Sequence, residues 1–201
     1  MPTTTNKIRY GLKNVYVAKA TVSETNVVSY GTPVAIPGAV SLSLDTEGDV
    51  NPFYADNIVY YRSVNNNGYS GTIEFALIPD WFRKEYLNEI QDVNGVLIEK
   101  ADEVDPVYFA MLFQFEGDKK AIRHVMYYCS ASRTATEGAT KEDSTTPQTE
   151  TLNIAADPRP GDELVKARSG ADTTSEVYNA WFTRVYVPTI DAEGNIQVTS
   201  G

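Results

Sequence analysis

The sequence predicts a mainly β protein of the α+β class, with one sheet carrying most of the chain and one or two helices packed against it. Three observations lead there. Period-two alternation recurs along the chain, as where Val40, Leu42 and Leu44 alternate with Ser41, Ser43 and Asp45, the mark of a strand with one wet face. The longest apolar run, Val107 to Phe113, is followed by a Glu116-Gly117-Asp118 turn. Helical spacing is confined to two short stretches.

The elements follow in order. A strand is expected over Asn14–Ala20 and another at Val40–Asp45. Ile73, Phe75 and Leu77 alternate with Thr72, Glu74 and Ala76 in a third. Pro79 then breaks the strand, and Asp80 is placed to cap a helix whose Phe82, Tyr86, Leu87 and Ile90 share a face. That helix should lie on the sheet through Phe82, Leu87 and Ile90, with Arg83, Lys84 and Glu89 turned to solvent or a neighbouring subunit. Phe109, Met111, Phe113 and Phe115 form one face of a long strand. Its other face, Tyr108, Ala110 and Leu112, is apolar too, so it should be covered on both sides. The chain returns over Ala121–Ala131, with Ile122, His124, Met126 and Tyr128 on one face, closing an antiparallel hairpin. Glu150–Ala156 is a further strand. Thr173 and Glu176 have capping-box spacing for a second helix, ended by Pro188, with Val177, Trp181 and Arg184 on one stripe and Tyr178, Phe182 and Val185 on the next.

Four segments do not fit this packing. Residues 45–70 separate two strands, long for a connection inside one domain, yet they carry Phe53, Tyr54, Ile58, Val59, Tyr60 and Tyr61. Such apolar surface has to be buried, either as an extra hairpin folded back on its own domain or against a neighbouring subunit. Residues 85–105 hold seven acids against one base. Residues 133–149 are a Thr-, Ser- and Glu-rich polar loop, and the polar C-terminal stretch from 189 to 201 reads as a tail.

Composition bounds the function. The chain has 201 residues, enough for one self-sufficient core, with 27 acids against 17 bases and a formal net charge of −10. That balance argues against a nucleic-acid binder, which neutralises phosphates with Lys and Arg. A single cysteine, Cys129, and a single histidine, His124, leave no disulfide framework and no His- or Cys-based metal site. They are five residues apart on one strand, so strict alternation puts them on opposite faces and no Cys–His nucleophile pair forms locally. The acids Glu99, Asp102, Glu103 and Asp105 lack EF-hand spacing and read as a solvated face. No nucleotide or hydrolase motif occurs, and no cofactor is expected. The N-terminal Met1–Lys7 lacks a signal-peptide core and no apolar run spans a bilayer, so a protein made in the cytosol, soluble until something moves or assembles it, and away from membranes, is expected.

Several segments resemble the major tail protein family of long, non-contractile-tailed bacteriophages of Gram-positive bacteria. They are the stretch from Tyr30-Gly31-Thr32-Pro33 to Asp45, Asn51-Pro52-Phe53-Tyr54-Ala55-Asp56-Asn57, Asn65-Asn66-Asn67-Gly68-Tyr69-Ser70-Gly71, Lys141-Glu142-Asp143-Ser144, Pro147-Gln148-Thr149-Glu150-Thr151-Leu152, and Val177-Tyr178-Asn179-Ala180-Trp181-Phe182. Together they cover roughly residues 7–188, and their order and spacing carry the likeness. The resemblance implies a tail-tube-type β-sandwich or barrel with a flanking helix, in a single domain over 1–188 followed by the 189–201 tail. It implies a non-enzymatic virion protein that assembles with itself into stacked hexameric rings, forming the tube through which DNA passes without specific binding. A tape-measure protein and tail terminator or distal tail proteins are the implied partners. The 45–70 segment, with Phe53, Tyr54, Ile58, Val59, Tyr60 and Tyr61, becomes the expected contact between rings. A monomeric β-sandwich binding module, for carbohydrate or adhesion, is the competing reading of the same residues.

The charge balance generates a direct expectation. Duplex DNA at physiological salt should bind no tighter than the micromolar range in an electrophoretic shift assay, and sub-micromolar binding would contradict the charge argument.

Overall fold

A computed structural model describes residues 5–101, 105–136, 138, 140, 147–189 and 196–197. Thirteen strands and two helices follow in the order β1 (Arg9–Val22), β2 (Val28–Tyr30), β3 (Val34–Ile36), β4 (Ala39–Glu47), β5 (Val50–Ala55), β6 (Ile58–Val64), β7 (Gly68–Phe75), α1 (Asp80–Tyr86), β8 (Ile90–Gln91), β9 (Leu97–Ile98), β10 (Phe109–Gly117), β11 (Ile122–Ser132), β12 (Glu150–Ala156), β13 (Lys166–Arg168) and α2 (Ser175–Ala180). Nine strands join one antiparallel sheet, β2-β1-β10-β11-β12-β7-β4, with β3 on β1 and β13 on β11. The expected mainly β class with two short helices is what forms.

One face of this sheet holds the main core. Val15 and Val17 of β1, Ile36 of β3, Ile73 and Phe75 of β7, Phe109 and Met111 of β10, and Leu152 and Ile154 of β12 belong to one buried cluster, with Leu42 and Leu44 of β4 packed on it. Residues from both ends of the strand order share this core, so the sheet folds over on itself in sandwich-like layers. Helix α1 enters the same core through Phe82, Tyr86 and Leu87, where Phe82 and Tyr86 meet the Phe109 ring edge-on at 5.8 and 5.0 Å. The second face of β10, Ala110 and Leu112, joins Ala18, Val125 and Tyr127 in a separate cluster closed by Trp181 and Val185. Coverage of β10 on both sides is therefore real, and each helix region supplies one cover.

Several local expectations are corrected. Pro79, not Asp80, is the N-cap of α1, and no side chain caps it. Ile90 lies beyond the helix in β8, is 49% exposed, and does not pack on the sheet. The helix is one turn shorter than the apolar spacing suggests, since Leu87 ends it and Asn88 follows at φ +58°. Arg83 and Glu89 do not face outward. Arg83 bonds Glu89 at 3.2 Å and Glu150 at 2.6 Å, and Glu150 also accepts the Ile78 amide at 2.6 Å. Glu150 at the start of β12 thereby ties down the strand-to-helix corner. Thr174, not Thr173, caps α2, accepting the Val177 amide at 3.4 Å. The helix stops at Ala180, well before Pro188, and Trp181 and Val185 are its buried followers.

Two β-bulges defeat the alternation rule. Ala39 pairs Phe75 and Ser41 pairs Glu74, so Val40 is an extra residue turned outward, and Ala39 takes its place facing the core with Leu42 and Leu44. Met111 pairs Met126 but Phe109 pairs Cys129, so β11 holds one residue more than β10 across this step. A bulge shifts the parity of everything beyond it. Cys129 therefore takes the core side that alternation assigned to Tyr128, while Tyr128 stacks on Tyr108 at 4.0 Å. His124 and Cys129 consequently face the same side despite their odd separation. Leu77, expected to continue the β7 face, lies past the strand end and is exposed.

Leu87→Ala should cost about 2–5 kcal/mol in urea denaturation of the monomer, as for a buried leucine. Ile90→Ala should cost less than about 1 kcal/mol. Equal losses at the two positions would contradict this placement.

Candidate assembly surface

Residues 45–70 form neither a loop nor a hairpin folded back on the domain. β4 and β7 pair outward as far as Glu47↔Gly68, and β5 and β6 continue the same path from Val50↔Val64 to Ala55↔Ile58. Between them the Asn67 amide donates to the Glu47 carbonyl at 2.9 Å, and that of Asn65 to Asp49 at 3.1 Å. The result is a two-stranded ribbon standing off the sheet. Its tip is a two-residue turn with Asp56 at φ +52° and Asn57 at φ +63°, the type I′ geometry that matches the twist of paired strands. At its base, a Cβ on Gly68 (φ +101°) would lie 2.0 Å from the Ala156 carbonyl oxygen. Only glycine lets β7 pass there.

Every expected contact residue sits on this ribbon. Phe53, Tyr54, Ile58, Val59, Tyr60 and Tyr61 are between 38% and 71% exposed, joined by Val50 and Val64. Their register is informative. Phe53 opposes Tyr61 and Ala55 opposes Ile58, while Tyr54 opposes Val59 and Val50 opposes Val64. Directly opposed residues share a face and successive residues alternate. One face thus carries Phe53, Ile58 and Tyr61, the other Val50, Tyr54, Val59 and Val64, with Tyr60 at the bulge between Phe53 and Tyr54. A two-stranded ribbon apolar on both faces, with neither face covered by the described residues, is unusual, because isolated ribbons are marginal in water. The Asp56-Asn57 pair was the readable turn signal, and period-two spacing on either side of it would have revealed the strands.

The helix-packing residues are separate from this surface. Phe82 and Leu87 are buried under α1, at the opposite end of β7 from the ribbon, and Ile90 is on the small β8–β9 hairpin.

The residues weighed for chemistry are built into the core. Cys129 is fully buried, burial pushes its thiol up, and its Sγ lies 3.9 Å from the Met126 carbonyl. His124 stacks on Phe113 at 5.0 Å and meets Phe115 edge-on at 5.5 Å. Burial, helped by Arg9, Arg168 and Lys166, lowers its pKa to about 4, and its Nε2 has no hydrogen-bond partner among the described residues. Buried Arg159 bonds Asp162 through Nε at 2.8 Å and reaches the Tyr30 hydroxyl at 3.4 Å. Burial pushes Tyr30 up to about 12 against the pull of Arg159. Its hydroxyl donates to the Tyr127 carbonyl at 3.0 Å, so the group clips β2 to β11. Among the described residues, no three His, Cys, Asp or Glu side chains come together as a metal site. Asp102 and Glu103 of the acidic run, part of the 133–149 loop and most of the 189–201 tail lie outside the described residues; Glu99 pairs with Arg133.

No family model and no curated protein matches the sequence. Among solved structures, the cryo-EM structure of the anti-feeding prophage cap, the AFP tube terminating cap, is similar over 84% of this chain and 97% of that chain, with a TM-score of 0.44 and 8% identity. At that level the likeness is loose and transfers no residue roles.

The neutral, buried His124 generates a pH dependence. Its folded pKa, about 4, lies below the ordinary 6.5, so between these values the unfolded chain takes up a proton that the fold refuses. Stability contributed by neutral His124 is present above pH 6.5 and is lost as pH falls toward 4. Relative to His124→Leu, the wild type should lose about 1–2 kcal/mol between pH 7 and pH 5 in urea denaturation. Parallel profiles would contradict a buried neutral imidazole.

Proposed function

We propose that this chain is a structural subunit of a bacteriophage tail tube, with residues 1–188 as its assembling domain. Copies form hexameric rings that stack into the conduit for DNA during ejection, joined in the virion tail by the tape-measure, terminator and distal tail proteins. The resemblance of residues 7–188 supplies the class of protein. The observation that carries the reading is the ribbon, which presents apolar side chains on both faces and finds no cover among the described residues. Its backbone is satisfied by its own pairing, so it can stand in water without unpaired peptide groups, but its side chains gain only by being enclosed. Enclosure on two faces calls for a groove between other subunits rather than a flat docking site. Among the described residues, His124 and Cys129 are consumed by packing in the core.

A carbohydrate- or adhesion-type binding module is favoured by one feature, the abundance of exposed tyrosine. A sugar platform, however, needs its aromatics on one flat face, and here Phe53 and Tyr61 point opposite to Tyr54. Contact between rings through Phe53, Tyr54, Ile58, Val59, Tyr60 and Tyr61 fits the two-faced arrangement better.

Replacing residues 49–66 with a Gly-Ser turn should leave a folded protein that forms no rings or tubes in negative-stain microscopy at concentrations where the full chain does. Unimpaired polymerisation of the deletion would sink the ribbon's role, and dispersed monomers of the full chain at high concentration would favour the binding module.

A further inference from the structure

The chain carries two Asn-Gly dipeptides, Asn67-Gly68 and Asn94-Gly95. Glycine after asparagine matters chemically because it has no Cβ to screen its amide nitrogen or restrict its backbone. That nitrogen can attack the carbonyl carbon of the preceding side chain when the backbone is free to bring the two together. The two pairs are alike in sequence and unlike in surroundings.

Asn67-Gly68 is built into the sheet. Gly68 is buried at the start of β7, opposite Glu47 of β4, and the next residue, Tyr69, pairs with Ala156 of β12. The Gly68 amide donates to Asn66 Oδ1 at 3.1 Å, and the Asn67 amide to the Glu47 carbonyl at 2.9 Å. Swinging the Gly68 nitrogen onto the Asn67 side chain would pull β7 away from both neighbouring strands.

Asn94-Gly95 sits in the turn between β8 and β9. Both residues are exposed, as are Val93 and Val96 beside them. A Cβ built on Gly95 (φ +85°) would meet nothing nearer than Gln91 Nε2 at 3.7 Å. The Gly95 amide donates to the Asp92 carbonyl at 3.1 Å, and the Asp92 carboxylate accepts the amides of Asn94 at 2.9 Å and Val96 at 2.8 Å. These bonds close a surface turn between strands of two residues each, and so short a hairpin opens locally at little cost. Asn94 Nδ2 also donates to Asp92 Oδ2 at 3.1 Å. The Asn94 side-chain amide and the Gly95 amide therefore converge on the same residue.

We propose that Asn94 is a site of spontaneous deamidation in the folded protein, and that the fold spares Asn67. The Gly95 nitrogen bonds to Asn94 Cγ, the Cγ–Nδ2 bond breaks, and Nδ2 leaves as ammonia, taking up the proton that Gly95 loses. Water then adds to one of the two carbonyls of the resulting succinimide and opens the ring to aspartate or to isoaspartate. Nothing is oxidised or reduced, and water is the only co-reactant. Either product puts a new carboxylate beside Asp92, at the tip of a hairpin whose Val93 and Val96 are exposed. Isoaspartate also routes the backbone through the side-chain carbon, which lengthens the turn that Asp92 closes onto Val96. The reaction involves one copy of the chain and is independent of the assembly proposed above.

The test holds the full chain in mildly alkaline buffer, native and in urea, and follows both dipeptides by peptide mass spectrometry over days. Exchange of the amide for an acid adds about 1 Da, and labelling by an isoaspartate methyltransferase scores the rearranged product. In the native chain, conversion at Asn94 should outrun conversion at Asn67 by about tenfold or more. In urea the two rates should converge, because the difference lies in the fold. Asn94→Gln should remove the native-state signal from that peptide while circular dichroism stays unchanged. Equal native rates, or faster conversion at Asn67, would overturn the inference. So would an Asn94 that stays intact in the native chain while the urea-unfolded chain reacts, or a contrast between the sites that persists in urea.

Discussion

A strand that is apolar on both faces has to be covered twice, and β10 imposes that requirement on the whole chain. Phe109, Met111 and Phe113 look one way, Ala110 and Leu112 the other. The folded-over sheet and α1 supply the first cover, with aromatic rings meeting Phe109 edge-on. The Trp181 region after α2 supplies the second. Trp181 is held by more than packing, since its indole donates to the His124 carbonyl at 3.2 Å. These covers desolvate the groups between them. His124 stays neutral and the Cys129 thiol is pushed up because the strands they occupy are walled in. The residues that would carry chemistry in an open cleft are here spent on structure.

The ribbon obeys the opposite logic. It pairs its own backbone through a type I′ turn and leaves its side chains uncovered. A free two-stranded ribbon gains little from hydrophobic burial on its own, so this one takes its meaning from what encloses it. Gly68 keeps its base flush with β12, which fixes where it leaves the sheet. The polar clasp of Arg83, Glu89 and Glu150 fixes the other end of β7 in the same way, anchoring the helix and the β8–β9 hairpin behind it. One strand, β7, therefore sets the relative position of the ribbon and the helix corner.

Much of this was legible in the sequence because burial leaves a periodic trace. The strands at Val40–Asp45, 72–75, 109–115 and 150–156, the two-sided cover of the long strand and the existence of both helices all follow from apolar spacing. The apolar content of residues 45–70 was equally plain. Length alone leaves open whether they fold back or reach outward; the Asp56-Asn57 turn and the spacing on either side of it carry the ribbon. Ile90 was drawn into the helix because helical spacing continues past the point where Leu87 and a left-handed Asn88 end it.

By itself the sequence determined the class of fold, the residues able to fill a core and the surplus of negative charge. These depend on composition and local period, which a linear chain carries in full. Only the tertiary structure decided the facing of His124 and Cys129, the outward turn of Val40, the ion pairs of Arg83, and the outward pairing of β5 and β6 as a ribbon. Each depends on which residues meet across strands. A single extra residue in β11 reverses parity for everything after it, and no alternation pattern read along one strand records the register of its partner.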